Sequence, residues 1–227
     1  MKQELPSKLK DYPTINKNIS IKNRDVKLTV INHPDNLLEI FSREDSDGVL
    51  YLPYWTYLWD SANILAEYIS ELGDLKNKSI LEIGCGFGLV GIVASLEGGK
   101  VLFSDFEFEA LIFARENSRQ NGIESPTLVQ MDWNNPCLKS KFDLIIASDV
   151  IYDEQNWKPI IGLLQETLKD DGVALFSEPN RDNASGFLEL LNKNGLNYEK
   201  STCSLQPADN SILMNIYSIH NNPVELT

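Results

Sequence analysis

The sequence predicts an α/β fold: a doubly wound, mostly parallel sheet covered by helices on both faces. Three observations predict it. From Ser79 onward, short runs rich in Val, Ile, Leu and Phe alternate with amphipathic runs of helical period. The junction between the first such strand and its helix is the glycine-rich turn Gly84-Cys85-Gly86-Phe87-Gly88. The last two apolar runs are separated only by residues 206–210, too short for a crossover helix. They therefore form a hairpin, which sets one strand antiparallel to the rest.

Each element follows in order. Residues 18–32 alternate weakly, as two short strands with a turn at Asn23-Arg24. A polar loop at 42–48 leads to 51–60, the densest aromatic cluster of the chain. In 61–73, Ile64, Leu65, Tyr68, Ile69 and Leu72 recur at helical spacing and Gly73 supplies a stop. Residues 79–84 form the first core strand, and 89–99 a helix ended by glycines. Strand 100–105 precedes helix 108–122; 126–132 and 142–149 are the third and fourth strands. Helix 154–172, with Pro159 near its start, leads to strand 173–178 and helix 184–195. Strands 196–205 and 211–220 close the fold. Residues 1–56 read as an N-terminal extension with short strands on the substrate side, and 57–227 as the main domain.

The 227 residues are 42% hydrophobic and 23% charged, which suits one α/β domain with an appendage. With 20 Lys and Arg against 33 Asp and Glu, the formal net charge is -13. Such a surface repels phosphate backbones and attracts basic groups, so nucleic acid is not an expected partner. Cys85, Cys137 and Cys203 are too scattered for a disulfide framework or a zinc site, and no metal is expected. No apolar run approaches the ~20 residues of a membrane span, and no apolar targeting segment opens the chain. The expectation is a monomeric cytoplasmic protein without a membrane partner.

The strongest local signal is Glu82-Ile83-Gly84-Cys85-Gly86-Phe87-Gly88 between strand and helix. Glycines there let the backbone approach a ligand, and the helix adds unsatisfied N–H groups. Asp105 ends the next strand, where a carboxylate accepts hydrogen bonds from ribose hydroxyls. Two ligands share this geometry. A dinucleotide asks for a third glycine where Leu89 stands, and Glu82 is unfavourable near its phosphates. S-adenosylmethionine (SAM) has an ammonium that suits Glu82 and a ribose that suits Asp105. Asp132 at the end of the third strand is placed to accept from an adenine amino group, and Trp133 to cover the ring.

These residues, with Ser148-Asp149-Val150-Ile151-Tyr152 after the fourth strand, resemble class I SAM-dependent methyltransferases. More narrowly they are similar to family 16, the lysine methyltransferase-like group marked by D-x-x-Y at that place and by a tryptophan, here Trp59, before an N-terminal helix. The resemblance implies a Rossmann-like sheet of seven strands in the order 3-2-1-4-5-7-6, with strand 7 antiparallel. It implies SAM as cofactor, leaving as S-adenosylhomocysteine. Glu82, Gly84, Gly86, Gly88 and Asp105 would hold it, with Asp132 and Trp133 at the adenine and Trp59 and Ser148 near the methionine end. It further implies a protein substrate with an accessible lysine, although some relatives modify arginine or histidine.

Methyl transfer from a sulfonium is an in-line displacement that chiefly needs alignment and exclusion of water. The acceptor lysine must arrive as the free amine, although its ordinary pKa is about 10.4. A carboxylate stabilises the ammonium, so Asp149 is assigned to capture and orientation and not to general base catalysis. Tyr152 supplies a cation–π wall or a hydrogen bond to the amine. The plainer alternative makes Asp149 a helix cap and Tyr152 a packing residue. Neither His33 nor His220 neighbours a motif, so no histidine base is expected. Three rivals to a protein-lysine methyltransferase are a small-molecule methyltransferase of the same fold, a non-catalytic SAM-binding module and an NAD-dependent redox enzyme.

Overall fold

The computed structural model of the protein describes residues 12–41, 43–44, 50–204 and 213–221. The N-terminal stretch 1–11, the loop 206–210 and, apart from Arg43 and Glu44, the polar stretch 42–48 lie outside the described residues. An antiparallel hairpin, β1 (Thr14–Ile21) and β2 (Arg24–Ile31), comes first. Helix α1 (Pro34–Phe41) and the two-residue strands β3 (Arg43–Glu44) and β4 (Leu50–Tyr51) follow. Helix α2 (Asp60–Leu72) then opens the alternating part.

That part runs β5 (Ser79–Ile83), α3 (Leu89–Leu96), β6 (Lys100–Asp105), α4 (Phe108–Gln120), β7 (Thr127–Gln130) and β8 (Phe142–Ser148). It continues with α5 (Trp157–Thr167), β9 (Leu168–Glu178), α6 (Ala184–Lys193), β10 (Asn197–Ser204) and β11 (Leu213–His220). The order across the seven-stranded sheet is β10-β11-β9-β8-β5-β6-β7. Counted from β5 as the first core strand and read from the β7 edge, this is the expected 3-2-1-4-5-7-6. Pairings from β7 through β9 are parallel, and β11 runs antiparallel to both β9 and β10.

Three expectations needed adjustment. The hairpin turn is Lys22-Asn23, because Ile21 pairs with Arg24 and Lys22 takes the left-handed φ of 53°. The helix expected at 154–172 is α5 alone; a single 3₁₀ turn, Glu154–Asn156, precedes it and β9 begins at Leu168. Leu168 pairs with Phe142 while Val173 pairs with Leu144, so Lys169–Gly172 bulge out of the ladder. The bulge carries Lys169 to Asp143, whose Oδ1 accepts from Nζ at 2.8 Å. Helix α1 was not expected. Its Pro34 start and Asp35 in the first turn are ordinary opening residues.

Alternation along β5 parts two apolar layers. Ile80 joins the cluster of α2, α3 and α4, whereas Leu81 and Ile83 join that of α5 and α6. Glu82 therefore shares the face of Ile80. The apolar face of β2, with Val26, Leu28 and Val30, extends the first layer over α4. Two asparagines of α4 hold it there. Asn117 Oδ1 accepts from Thr29 N–H at 2.7 Å, and its Nδ2 donates to Thr29 O at 3.1 Å. Asn121 repeats the pattern on Lys27, at 3.0 and 2.8 Å. One helical repeat of four residues rises about 6 Å and two strand residues about 6.6 Å, so the two ladders match.

Candidate active site

β5 ends at Ile83 and the chain turns through the glycine run into α3. Gly84, Gly86 and Gly88 take φ of 63°, 51° and 81°, a region where a Cβ is costly. At Gly84 the space is needed as well. A Cβ there would lie 3.0 Å from Val150 Cγ1 and 3.4 Å from Trp133 Cζ2. One residue thus brings together the glycine loop, the Asp132-Trp133 pair and the Asp149–Tyr152 run. Gly88 makes room for Ala114 of α4, whose Cβ would be 3.1 Å from its own, so it serves helix packing.

Asp105 is buried at the end of β6 and fastens the loop. Its Oδ2 accepts from Gly86 N–H and its Oδ1 from Glu107 N–H, each at 2.9 Å. Burial pushes its carboxyl up to about 6, against the pull of those N–H groups. Glu82 lies under α3, where its buried Oε2 finds no hydrogen-bond partner among the described residues. Burial pushes this carboxyl up to about 8; the Gly91 N–H favours its charge and Asp105 opposes it.

Asp132 binds its own turn. Its Oδ1 accepts from Asn134 N–H at 2.8 Å and from Asn134 Nδ2 at 3.0 Å, and these bonds hold its pKa below the usual carboxylate value. The turn fixes Trp133, whose ring edge faces Gly84 while its buried Nε1 finds no acceptor among the described residues. Residues 54–59 pass over the loop: the Trp55 carbonyl is 4.0 Å from where a Gly86 Cβ would stand. Trp59 donates through Nε1 to Tyr54 O at 3.2 Å. The Tyr54 ring meets Trp59 at 6.1 Å and Tyr152 at 5.3 Å, both edge-on.

Ser148 ends β8 opposite Ser177 of β9. Asp149 follows with a φ of 56°, and its N–H donates to Ser177 O at 2.8 Å. Its side chain is 4% exposed and pairs with Arg181, whose Nε and Nη2 reach Oδ1 at 3.1 and 2.7 Å. Burial raises the Asp149 pKa, and Arg181 works against that shift. Tyr152 is 37% exposed, and burial followed by the charge of Asp153 pushes its hydroxyl up to about 12. The cap in this segment is Asp153 and not Asp149: its Oδ1 accepts from Gln155 N–H at 3.1 Å at the head of the 3₁₀ turn. No cluster of three His, Cys, Asp or Glu among the described residues could hold a metal ion.

A family profile described as lysine methyltransferase matches residues 55–194. The chain belongs to the lysine methyltransferase family. It is 31% identical over 141 residues to the protein N-lysine methyltransferase METTL21A of Xenopus tropicalis, covering 59% of this chain and 65% of that one. It is 35% identical over 122 residues to a histidine protein methyltransferase 1 homolog of Dictyostelium discoideum, covering 51% of this chain and 40% of that one. The matches thus span less than two thirds of either relative. A ribosomal protein L11 methylase from Lactobacillus delbrueckii subsp. bulgaricus shares the fold at a TM-score of 0.57, with 24% identity over 71% of this chain and 79% of that one.

Against this lysine methyltransferase framework, four residues escaped the sequence reading. Arg181 lies in the loop after β9 and Glu178 ends that strand, and neither belongs to a recognisable motif. Gly91 lies inside an apolar helix, where its role depends on Glu82 beneath it. Phe106 is 57% exposed directly after Asp105, and an aromatic beside the acid expected at the ribose was a signal that could have been used.

Proposed function

We propose that the chain is a SAM-dependent N-methyltransferase that methylates lysine side chains of a protein. The observation that supports the reading is the close approach at Gly84, where the glycine turn packs against Trp133 and against Val150 of the Asp149–Tyr152 run. The residues fit the donor. Asp105 is a buried carboxyl beside the glycine turn, and the buried Trp133 N–H finds no acceptor among the described residues. In this reading Asp105 binds the ribose, Trp133 and Asp132 border the adenine with Phe106 on its open side, and Glu82 favours the ammonium end through the loop above it. Trp59 and Ser148 border the methionine end, and the Gly84–Gly86 turn lies against it.

SAM, when bound, supplies a methyl group already activated on a sulfonium. The protein then has to place the amine in line and keep water out. Asp149 holds and orients the acceptor nitrogen, and the Tyr152 and Tyr54 rings form an aromatic wall beside it. Residues 1–56 are the substrate-side extension and 57–227 the methyltransferase domain. The net charge of -13 suits a basic lysine-bearing protein segment and disfavours nucleic acid. A cytoplasmic monomer completes the reading.

Incubation of the chain with methyl-labelled SAM and a lysate of its source tests this. Label on a lysine of a discrete protein band supports the proposal. Label on histidine, on arginine or only in small molecules overturns the acceptor, and no calorimetric heat with SAM overturns the enzyme.

A further inference from the structure

We propose that Arg181 is a positioning residue of the acceptor site: by neutralising Asp149 it lets the incoming lysine bind as the free amine and not as the ammonium. This deepens the reading above and depends on Asp149 facing the acceptor nitrogen.

Arg181 is placed by the sheet and does not simply reach in from solvent. Glu178 at the end of β9 is fully buried, and its Oε2 accepts from Arg181 N–H at 2.6 Å. Its Oε1 accepts from Asn215 Nδ2 at 2.6 Å and from Tyr217 hydroxyl at 2.9 Å, both on β11. Asn180 takes a φ of 47°, which bends the loop back over β9. Asn183 Nδ2 then donates to Tyr152 O at 3.2 Å. The loop after β9 therefore grips the Asp149–Tyr152 turn at both ends, through Arg181 at Asp149 and Asn183 at Tyr152.

Both Arg181 bonds land on Oδ1 of Asp149. Oδ2 takes no hydrogen bond at bonding distance from the described residues, and it is the oxygen left for an acceptor nitrogen. The groups facing Asp149 are Glu178 from the end of β9, Arg181 from the loop after it, Ser61 from the first turn of α2 and Tyr152 from its own turn. Arg181 is the one cation in that set. Without it, two carboxyls would share a buried place with nothing to balance them, and a lysine would be drawn in as the balancing ammonium.

An ammonium has no lone pair and cannot react. In the productive order the lysine first loses a proton to water. Its nitrogen lone pair then forms the N–C bond as the C–S bond breaks, and the C–S electron pair stays on sulfur. The positive charge moves from sulfonium to the methylated ammonium, so charge and atoms balance. A guanidinium already on Asp149 removes the reason to keep the proton, and it lowers the pKa of the bound amine toward neutrality.

The test is the pH profile of methyl transfer to the protein band that the wild-type chain labels, with labelled SAM as donor. Arg181→Met should move the rising limb at least about one pH unit upward, because the bound amine then holds its proton to higher pH. At neutral pH kcat should drop roughly tenfold for every pH unit by which that limb moves, with KM unchanged or lower. Arg181→Lys should restore most of the wild-type profile. A uniform loss of kcat with an unmoved profile overturns the proposal. Should Arg181→Met not fold, the pair Asp149→Asn and Asp149→Asn with Arg181→Met decides. Neither carries the lone carboxylate, so their residual activities should share one profile, and a difference between the two profiles overturns the idea. A wild-type chain that labels no lysine at all would defeat the functional reading itself, whereas labelling with superimposable profiles defeats only the role of Arg181.

Discussion

Gly91 of α3 and Glu82 of β5 share one space: a Cβ on the glycine would fall 2.3 Å from Glu82 Oε2 and 2.4 Å from Phe103 Cε1. In an exposed helix interior, glycine to alanine ordinarily stabilises by about 1 kcal/mol. Here the sign should reverse. Gly91→Ala must push α3 away from the sheet or force Glu82 aside, at a cost of about 1–3 kcal/mol. For a chain of this size that lowers the melting temperature by about 2–4 °C per kcal/mol. An alanine variant as stable as wild type would show that the helix floats freely over β5.

Glu82 itself makes stability depend on pH. Its folded-state value near 8 lies above the ordinary 4.5, so the native protein holds that proton more tightly than the unfolded chain does. The stability it contributes is complete below about pH 4.5 and is lost as pH rises toward 8. Glu82→Gln keeps the shape and cannot ionise. Chemical denaturation without SAM at pH 5 and pH 8 should therefore show the glutamine variant gaining on wild type at the higher pH. A constant difference between the two pH values would contradict the buried-carboxyl account.

Asp105 and Asp149 should separate binding from transfer. Asp105→Ala removes the acceptor of Gly86 and Glu107 N–H groups and the proposed ribose contact, so SAM affinity by calorimetry should fall at least about tenfold. Asp149→Asn should keep SAM affinity within about threefold while methyl transfer drops by two or more orders of magnitude. Equal losses of SAM affinity in both would remove Asp149 from the acceptor side.

Asn117 is fully buried and serves two places at once. Besides Thr29, its Nδ2 donates to Phe87 O of the glycine turn at 3.0 Å. Asn117→Ala strands the Thr29 N–H and C=O and the Phe87 carbonyl, which costs at least about 2 kcal/mol. Hydrogen exchange should quicken both in β2 and in the glycine turn. Acceleration confined to β2 would mean that the hairpin and the loop are not joined through this side chain.

The alternating core was legible because its central strands are short β-branched and apolar runs buried on both sides, set between longer helical runs. The glycine turn was legible because left-handed backbone favours glycine at fixed places, and Asp105 because an acid ends the next strand about twenty residues on. What escaped depended on distance in the chain. The Arg181–Asp149 pair joins loops after different strands, and nothing local in Pro179-Asn180-Arg181 announces it. Helix α5 was overextended because Lys169-Asp170-Asp171 continue a polar helical face, and only pairing with Phe142 ends the helix at Thr167. The asparagine contacts to β2 were invisible for the same reason: Asn117 and Asn121 look like surface residues until the hairpin lies on them.

Those asparagines also divide the N-terminal hairpin into parts that tolerate length changes and parts that do not. An extra residue in the Lys22-Asn23 turn leaves Lys27 and Thr29 two positions apart and both clasps intact. An extra residue between Lys27 and Thr29 breaks one clasp and turns the apolar side of β2 outward on one side of the insertion. Natural variation in hairpin length should therefore gather at the turn, while the spacing of the clasped pair stays fixed.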